Sequence, residues 1–235
     1  MISTTIKEAI SKIATGSVFR LDDLGISRQE RSAAAQTLSR MVRSGEIKRI
    51  SPGNYYKPQS TPFGVLGPSV EEQFKDLLFD GRTPIGYLTG LYAFNLFRLT
   101  TQQASTIEIG VRYPQGPKRR GIYNIRFVLQ RNEIKKDNIH LLRLLDCLKW
   151  IKKIPDTSVE KSYRILKQYI ASLTDKDVQR LITLSLQYPP VTRALLGSMI
   201  EEESLIQKLR ETLNPLTQYR IGLALPKLKT EWNIL

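Results

Sequence analysis

The chain has 235 residues, 41% of them hydrophobic, and 36 Lys and Arg against 22 Asp and Glu give it a formal net charge of +14. This composition excludes a disordered tail, and the single Cys and single His argue against a disulfide framework or a Cys/His zinc site. The charge favours a polyanionic partner, with nucleic acid ahead of an anionic membrane. Because the sequence has no apolar run of eighteen residues and no signal-peptide core, we expect a cytoplasmic protein without membrane association.

The N-terminal segment has the clearest secondary-structure pattern. Ser27 followed by Glu30 is typical of a capping box, and Gly45 is a typical C-terminal stop. Together with the apolar spacing, these signals predict helix 4–14, a strand at 18–20, a short helix at 21–24 and a helix at 28–44.

The helix predicted at 28–44 has two distinct faces when residues are placed about 100° apart. One face is predicted to pack inward and consists of Ala34, Leu38, Met41 and Val42. The opposite face contains neither apolar nor acidic residues and consists of Arg28, Gln29, Ser32, Gln36, Ser39, Arg40 and Arg43. Such a face is suited to the major groove, where Arg bonds guanine and Gln bonds adenine.

A basic hairpin is predicted directly after this helix. Pro52-Gly53 suits a type II turn, and the flanking runs Ile47–Ile50 and Tyr55–Lys57 would pair across it. The hairpin would place Lys48, Arg49 and Lys57 beside the DNA backbone or the minor groove. This order of elements predicts a winged helix-turn-helix DNA-binding domain at 1–58.

Two other interpretations of this region stay open. A polar helix face is often only a solvated face, so the winged helix could dock a protein without binding DNA. Basic patches also suit RNA, so an RNA-binding factor is a further alternative.

A linker is predicted at 59–68, because this stretch is rich in Pro and Gly and poor in charge. A larger domain follows at 69–235, mostly helical with a small antiparallel sheet, so that the whole chain is predicted to be α+β. Its predicted elements are helices 69–79 and 86–97, strands 105–112 and 122–130, and helices 138–153, 158–172, 175–187 and 190–213.

Positive charge is also concentrated in the turn predicted between the two strands of this domain. The turn contains Lys118, Arg119 and Arg120. These residues predict either a second contact with an anionic partner or a solvated hairpin tip.

Nothing in the sequence indicates an enzyme. No phosphate-binding loop, nucleophile elbow or metal motif is present, so we expect no catalytic residues, no metal and no cofactor. Cys147 is predicted to be a small core residue, His140 to have a structural or exposed role, and the run at 201–203 to be a solvated acidic face.

Four segments resemble a known family. LSRMVRSGEIKRISPGNYY (38–56) looks like the end of the N-terminal winged helix of AbiEi-type antitoxins and related bacterial regulators. The segments GYLTGLYAFNLFRLT (86–100), IYNIRFVLQRN (122–132) and LLRLLDCLKW (141–150) resemble later blocks of that family in the same order. The long helical region after residue 155 departs from a compact antitoxin.

The resemblance implies a DNA-binding transcriptional regulator and antitoxin of a bacterial abortive-infection toxin–antitoxin system. Members repress their own operon by binding double-stranded DNA repeats upstream of it. Their C-terminal domain is associated with neutralising a nucleotidyltransferase-like toxin. Carried onto this sequence, the resemblance assigns DNA binding to Arg28, Gln36, Arg40, Arg43, Lys48 and Arg49.

Overall fold

A computed structural model of the protein describes residues 2–62, 64–223 and 225–235. The chain divides into two compact units, Met1–Leu78 (unit 1) and Phe79–Leu235 (unit 2). Both units contain helices and strands, which confirms the predicted α+β class. Among the described residues, no helix combines the length and the apolar character that a membrane span requires.

Unit 1 contains helices that share a hydrophobic core with a three-stranded antiparallel sheet. The strand order of this sheet is β1-β3-β2. The elements in chain order are α1 (Ile2–Ser11), β1 (Val18–Arg20), 3₁₀ helices at Leu21–Leu24 and Arg28–Glu30, α2 (Arg31–Arg43), β2 (Lys48–Ser51), β3 (Asn54–Tyr56), β4 (Gln59–Thr61), β5 (Gly64–Leu66), α3 (Val70–Gln73) and α4 (Lys75–Leu78). The predicted first helix, first strand and short helix are confirmed, with shifted helix ends.

The helix predicted at 28–44 begins differently from the prediction. The Ser27 hydroxyl donates to the Glu30 carboxylate at 2.5 Å instead of accepting a backbone N–H, so the predicted capping box is absent. Without this cap the segment starts as a 3₁₀ turn, and α2 itself begins at Arg31. The C-terminal stop is as predicted, since Gly45 follows the helix with φ +80°.

The hairpin predicted after α2 is confirmed as the pair β2 and β3, with a register irregularity between Arg49 and Ser51. Within the stretch predicted as a linker, 59–68, β4 and β5 pair with each other in antiparallel fashion.

The helix predicted at 69–79 is interrupted at Phe74. Its predicted N-cap is present, since the Glu72 N–H donates to Ser69 Oγ at 3.2 Å. The backbone N–H of Val18 donates to the Glu72 carboxylate at 3.0 Å, which ties α3 to β1. Both α3 and α4 belong to unit 1, which ends at Leu78.

Unit 2 combines a four-stranded sheet with a helical layer. Its elements are β6 (Phe79–Asp80), β7 (Thr83–Pro84), β8 (Gly86–Thr89), α5 (Leu91–Leu96), β9 (Thr106–Val111), β10 (Lys118–Arg120), β11 (Tyr123–Leu129), α6 (Ile139–Lys149), a 3₁₀ helix at Ile151–Lys153, α7 (Val159–Ala171), α8 (Asp175–Ser185), α9 (Pro190–Gly197), α10 (Glu203–Arg210) and α11 (Pro226–Trp232).

The sheet of unit 2 has the order β10-β11-β9-β8 and is not purely antiparallel as predicted. The predicted strands 105–112 and 122–130 form, but β9 and β11 run parallel, with Thr106 opposite Asn124. The chain between them crosses over and contributes β10, which pairs with β11 in antiparallel fashion at the edge. The basic segment is therefore an edge strand and not the tip of a hairpin.

The helix predicted at 86–97 is wrong in its first half. Residues 86–89 form β8, which pairs with β9 and is buried along its whole length. Gly90 then turns the chain with φ +60°, and only Leu91–Leu96 are helical. A short strand that is buried on both faces has a continuous apolar sequence. Such a sequence does not distinguish a strand from a buried helix.

The helices predicted after residue 137 are present, but two of them are divided. The helix predicted at 138–153 consists of α6 and the 3₁₀ helix at Ile151–Lys153. The helix predicted at 190–213 consists of α9 and α10, which are separated by residues 198–202. The C-terminal tail docks on the core, because Trp232 is buried and the Leu235 N–H donates to the Tyr219 carbonyl at 2.8 Å.

Candidate nucleic-acid interface

The polar face predicted for the third helix is on the surface of unit 1. Ser32, Gln36, Ser39, Arg40 and Arg43 are exposed on α2, and they fall within an arc of about 100° around its axis. The two remaining members, Arg28 and Gln29, are exposed on the 3₁₀ turn that precedes α2.

The opposite face of α2 fixes this orientation. Ala34, Leu38 and Met41 are buried in the core of unit 1, as predicted, and Val42 packs against that core while partly exposed. Thr37 is also buried, and its hydroxyl donates to the Ala33 carbonyl at 3.0 Å. Because the apolar face is held by the core, α2 cannot turn its polar face inward without exposing these side chains.

The basic side chains of this surface are not neutralised within the described chain. We call five of these residues the basic face: Arg28, Arg40, Arg43, Lys48 and Arg49. No carboxylate of the described residues lies within salt-bridge distance of any of them. By contrast, the neighbouring Arg31 forms an ion pair with Asp22. An exposed group of unpaired cations of this kind attracts a polyanion.

The hairpin contributes unequally to this surface. Lys48 and Arg49 are exposed on β2, and the Arg49 Nε–H donates to the Ser51 carbonyl at 3.3 Å. Lys57 is only half-exposed, and its ammonium donates to the carbonyls of Ser11 and Ile13, at 3.3 and 3.4 Å. Lys57 therefore holds the end of the first helix to the hairpin, a role that the sequence pattern did not reveal.

The second predicted basic group belongs to unit 2. Lys118, Arg119 and Arg120 form β10. The Lys118 ammonium donates to Gln115 Oε1 at 2.6 Å and lies 5.5 Å from the centre of the Phe127 ring. Of the three, Lys118 and Arg119 are exposed, while Arg120 is partly buried.

Unit 2 contains a buried polar cluster that the sequence pattern did not predict. The Asp146 carboxylate accepts hydrogen bonds from the hydroxyls of Thr89 at 2.6 Å, Tyr87 at 2.7 Å and Tyr188 at 2.9 Å. The Gln130 side-chain amide donates to both tyrosine hydroxyls at 2.8 Å. One signal could have indicated it, since Asp146 is the single carboxylate within the apolar run LLRLLDCLKW.

Burial dominates the ionisation of this cluster. Desolvation raises the pKa of Asp146, although its three hydroxyl donors and the charge of Lys149 oppose the shift. Desolvation, reinforced by the negative charge of Asp146, raises the pKa of Tyr87 and of Tyr188 well above the usual value. Both phenols are therefore hydrogen-bond donors at neutral pH.

Cys147, His140 and the acidic run 201–203 also belong to unit 2. Cys147 is buried in the core of unit 2, as predicted, and desolvation raises the pKa of its thiol well above the usual value. His140 is exposed at the start of α6, and Glu201, Glu202 and Glu203 are exposed as predicted. Within the described ranges, no three His, Cys, Asp or Glu residues converge as metal ligands would.

The fold has a counterpart among solved structures. The chain is similar to the crystal structure of the RV2827C protein from Mycobacterium tuberculosis, with a TM-score of 0.58, 12% sequence identity, and coverage of 99% of this chain and 89% of that chain. No family model matches the sequence, and no curated protein matches it significantly. At this level of identity the similarity establishes the fold and nothing about function.

Proposed function

We propose that this protein is a DNA-binding transcriptional regulator and not an enzyme, and that residues 1–58 form a winged helix-turn-helix. The order of α1, a short 3₁₀ helix, α2 and the β2–β3 hairpin supports this assignment. In the proposed complex α2 enters the major groove with Ser32, Gln36 and Ser39, and the preceding 3₁₀ turn contributes Gln29. The hairpin lies beside the DNA backbone.

The observation that carries the proposal is the basic face, five exposed cations that have no acidic partner among the described residues. Charge alone would suit any polyanion. The cations flank a helix surface whose other side chains are Gln and Ser, which can bond base edges as well as phosphates. A duplex with an accessible major groove fits this combination better than structured RNA, whose major groove is deep and narrow.

We further propose that the protein is an AbiEi-type antitoxin, which represses its own operon from the cytoplasm of a bacterium. Unit 2 would neutralise a nucleotidyltransferase-like toxin. This part of the proposal rests on the resemblance of the four sequence segments.

A charge reversal on α2 tests the DNA-binding proposal. We expect R40E/R43E to weaken binding to duplex DNA from upstream of the protein's own gene by at least tenfold in fluorescence anisotropy. The matched control is K161E/R164E, which makes the same charge change at the same spacing on α7, where both side chains are exposed.

Three outcomes would contradict the proposal. Equal loss in both variants would mean that net charge alone is responsible. No loss in R40E/R43E would remove α2 from the interface. A tenfold preference of the wild-type protein for structured RNA over the duplex would favour an RNA-binding factor.

A further inference from the structure

A cavity of about 450 Å³ lies within unit 2, at the end of β11. Its walls come from Gln130 and Arg131 after β11, from Asp146 and Lys149 of α6, and from residues 186–190, which connect α8 to α9 and include the first residue of α9. The volume is in the range of cavities that hold small organic molecules.

The buried polar side chains in the wall of this cavity already have hydrogen-bond partners within the protein. Asp146 accepts hydrogen bonds from three hydroxyls, and the Gln130 amide donates to two of those hydroxyls. The Gln130 carbonyl oxygen accepts from the backbone N–H and the side-chain amide of Asn132, at 2.9 and 3.1 Å. A ligand in the cavity would therefore not need to donate hydrogen bonds to the buried carboxylate.

The two cations in the wall, Lys149 and Arg131, differ from these polar groups because they have no ion-pair partner among the described residues. Neither Lys149 nor Arg131 has a carboxylate within salt-bridge distance in the described ranges. The Lys149 ammonium lies 5.0 Å from the centre of the Trp150 ring and 5.9 Å from that of Tyr188. With Asp146 as the one acidic residue in the wall, the charged lining residues sum to +1.

The remaining wall is largely apolar. Val128, Leu129, Leu186, Pro189 and Pro190 line it, and Leu129 and Leu186 are 49% and 46% exposed to solvent. A ligand with an apolar body would cover this surface, which water solvates poorly.

We propose that this cavity binds a small organic anion, whose charged group lies against Lys149 and Arg131 and whose apolar or aromatic body lies against Leu186 and Pro189. Inorganic phosphate and sulfate have the negative charge but lack the apolar group. A neutral aromatic molecule has the apolar group but lacks the charge. The cavity is lined by residues of unit 2 alone, so the proposal does not depend on DNA binding by unit 1.

Two fluorescent probes that differ in one group test the proposal. We expect 8-anilinonaphthalene-1-sulfonate to bind the full-length protein with one-site saturation. N-phenyl-1-naphthylamine, which has the same ring system without the sulfonate, should bind at least tenfold more weakly. Sodium sulfate at matched ionic strength should compete poorly. Equal affinity for the two ring probes, or binding of neither, would overturn the proposal.

Variants then locate the site. K149M should weaken binding of the anionic probe about tenfold, because it removes the ammonium and keeps the apolar stem. The control K152M removes the same charge from an exposed lysine that does not line the cavity, and its affinity should be unchanged. L186W, which fills the cavity from its partly exposed rim, should weaken both probes. Near-ultraviolet circular dichroism verifies the fold of each variant. Binding unaffected by K149M and L186W would refute this site.

Discussion

Removing two charges from the basic face should change the salt dependence of DNA binding by a calculable amount. Each phosphate that a basic side chain neutralises contributes about −0.9 to the slope of log affinity against log salt concentration. If all five residues of the basic face contact phosphate, the slope per protein chain is about −4.5. The R40M/R43M variant retains three of them, so its slope should be about −2.7.

These slopes correspond to large differences in affinity. Between 50 and 200 mM salt, the wild-type protein should lose about 500-fold in affinity and R40M/R43M only about 40-fold. Both methionines retain helix-forming propensity, and Arg40 and Arg43 are exposed, so the thermal melt should be unchanged.

Fluorescence anisotropy titrations at four salt concentrations measure these slopes. The control K161M/R164M carries the same neutralisations on α7 and should keep the wild-type slope. The reasoning would be refuted by an R40M/R43M slope equal to that of the wild-type protein, or by an equal decrease in the control. The first outcome would mean that Arg40 and Arg43 do not contact phosphate.

Two predictions concern stability. Since burial raises the pKa of Asp146, the folded chain binds this proton more tightly than the unfolded chain, whose pKa is about 3.9. The difference in unfolding free energy between the wild-type protein and D146N should therefore shift in favour of the wild type as the pH falls from 7 towards 4. Urea denaturation measures this difference, and a value that does not change with pH would contradict the raised pKa. A methyl group at Gly197 would lie 2.0 Å from the Trp232 ring, so G197A should lose about 1–3 kcal/mol and shift the tryptophan emission. G116A, where the methyl group meets no atom within 4 Å, should match the wild-type protein in both measurements.

The sequence predicted best what local patterns determine. The apolar spacing of Ala34, Leu38 and Met41 identified the buried face of α2, because a helix repeats every 3.6 residues whatever its partner. Gly45 marked the end of that helix, since its positive φ is a property of the single residue. The polar face followed from the same geometry.

Features that depend on residues distant in the sequence could not be predicted from local patterns. The pattern of residues 86–89 predicts helix although they form β8, because the side chains of β8 are buried on both faces. Burial on both faces removes the alternation of apolar and polar residues that identifies a strand. The Asp146 cluster depends on Tyr87, 59 residues before it, and on Tyr188, 42 residues after it. Nothing in the spacing of a sequence indicates that three such segments meet.

The parallel pairing of β9 and β11 has a consequence for the order in which unit 2 folds. Thr106 and Asn124 can meet only after the intervening chain has closed a loop, and the entropy of that closure is lost before the pairing compensates for it. The turns of α6 to α9 need no such closure, since their hydrogen bonds join residues four apart. We therefore expect the sheet to be completed late in folding, on a surface that the helices have already begun to form.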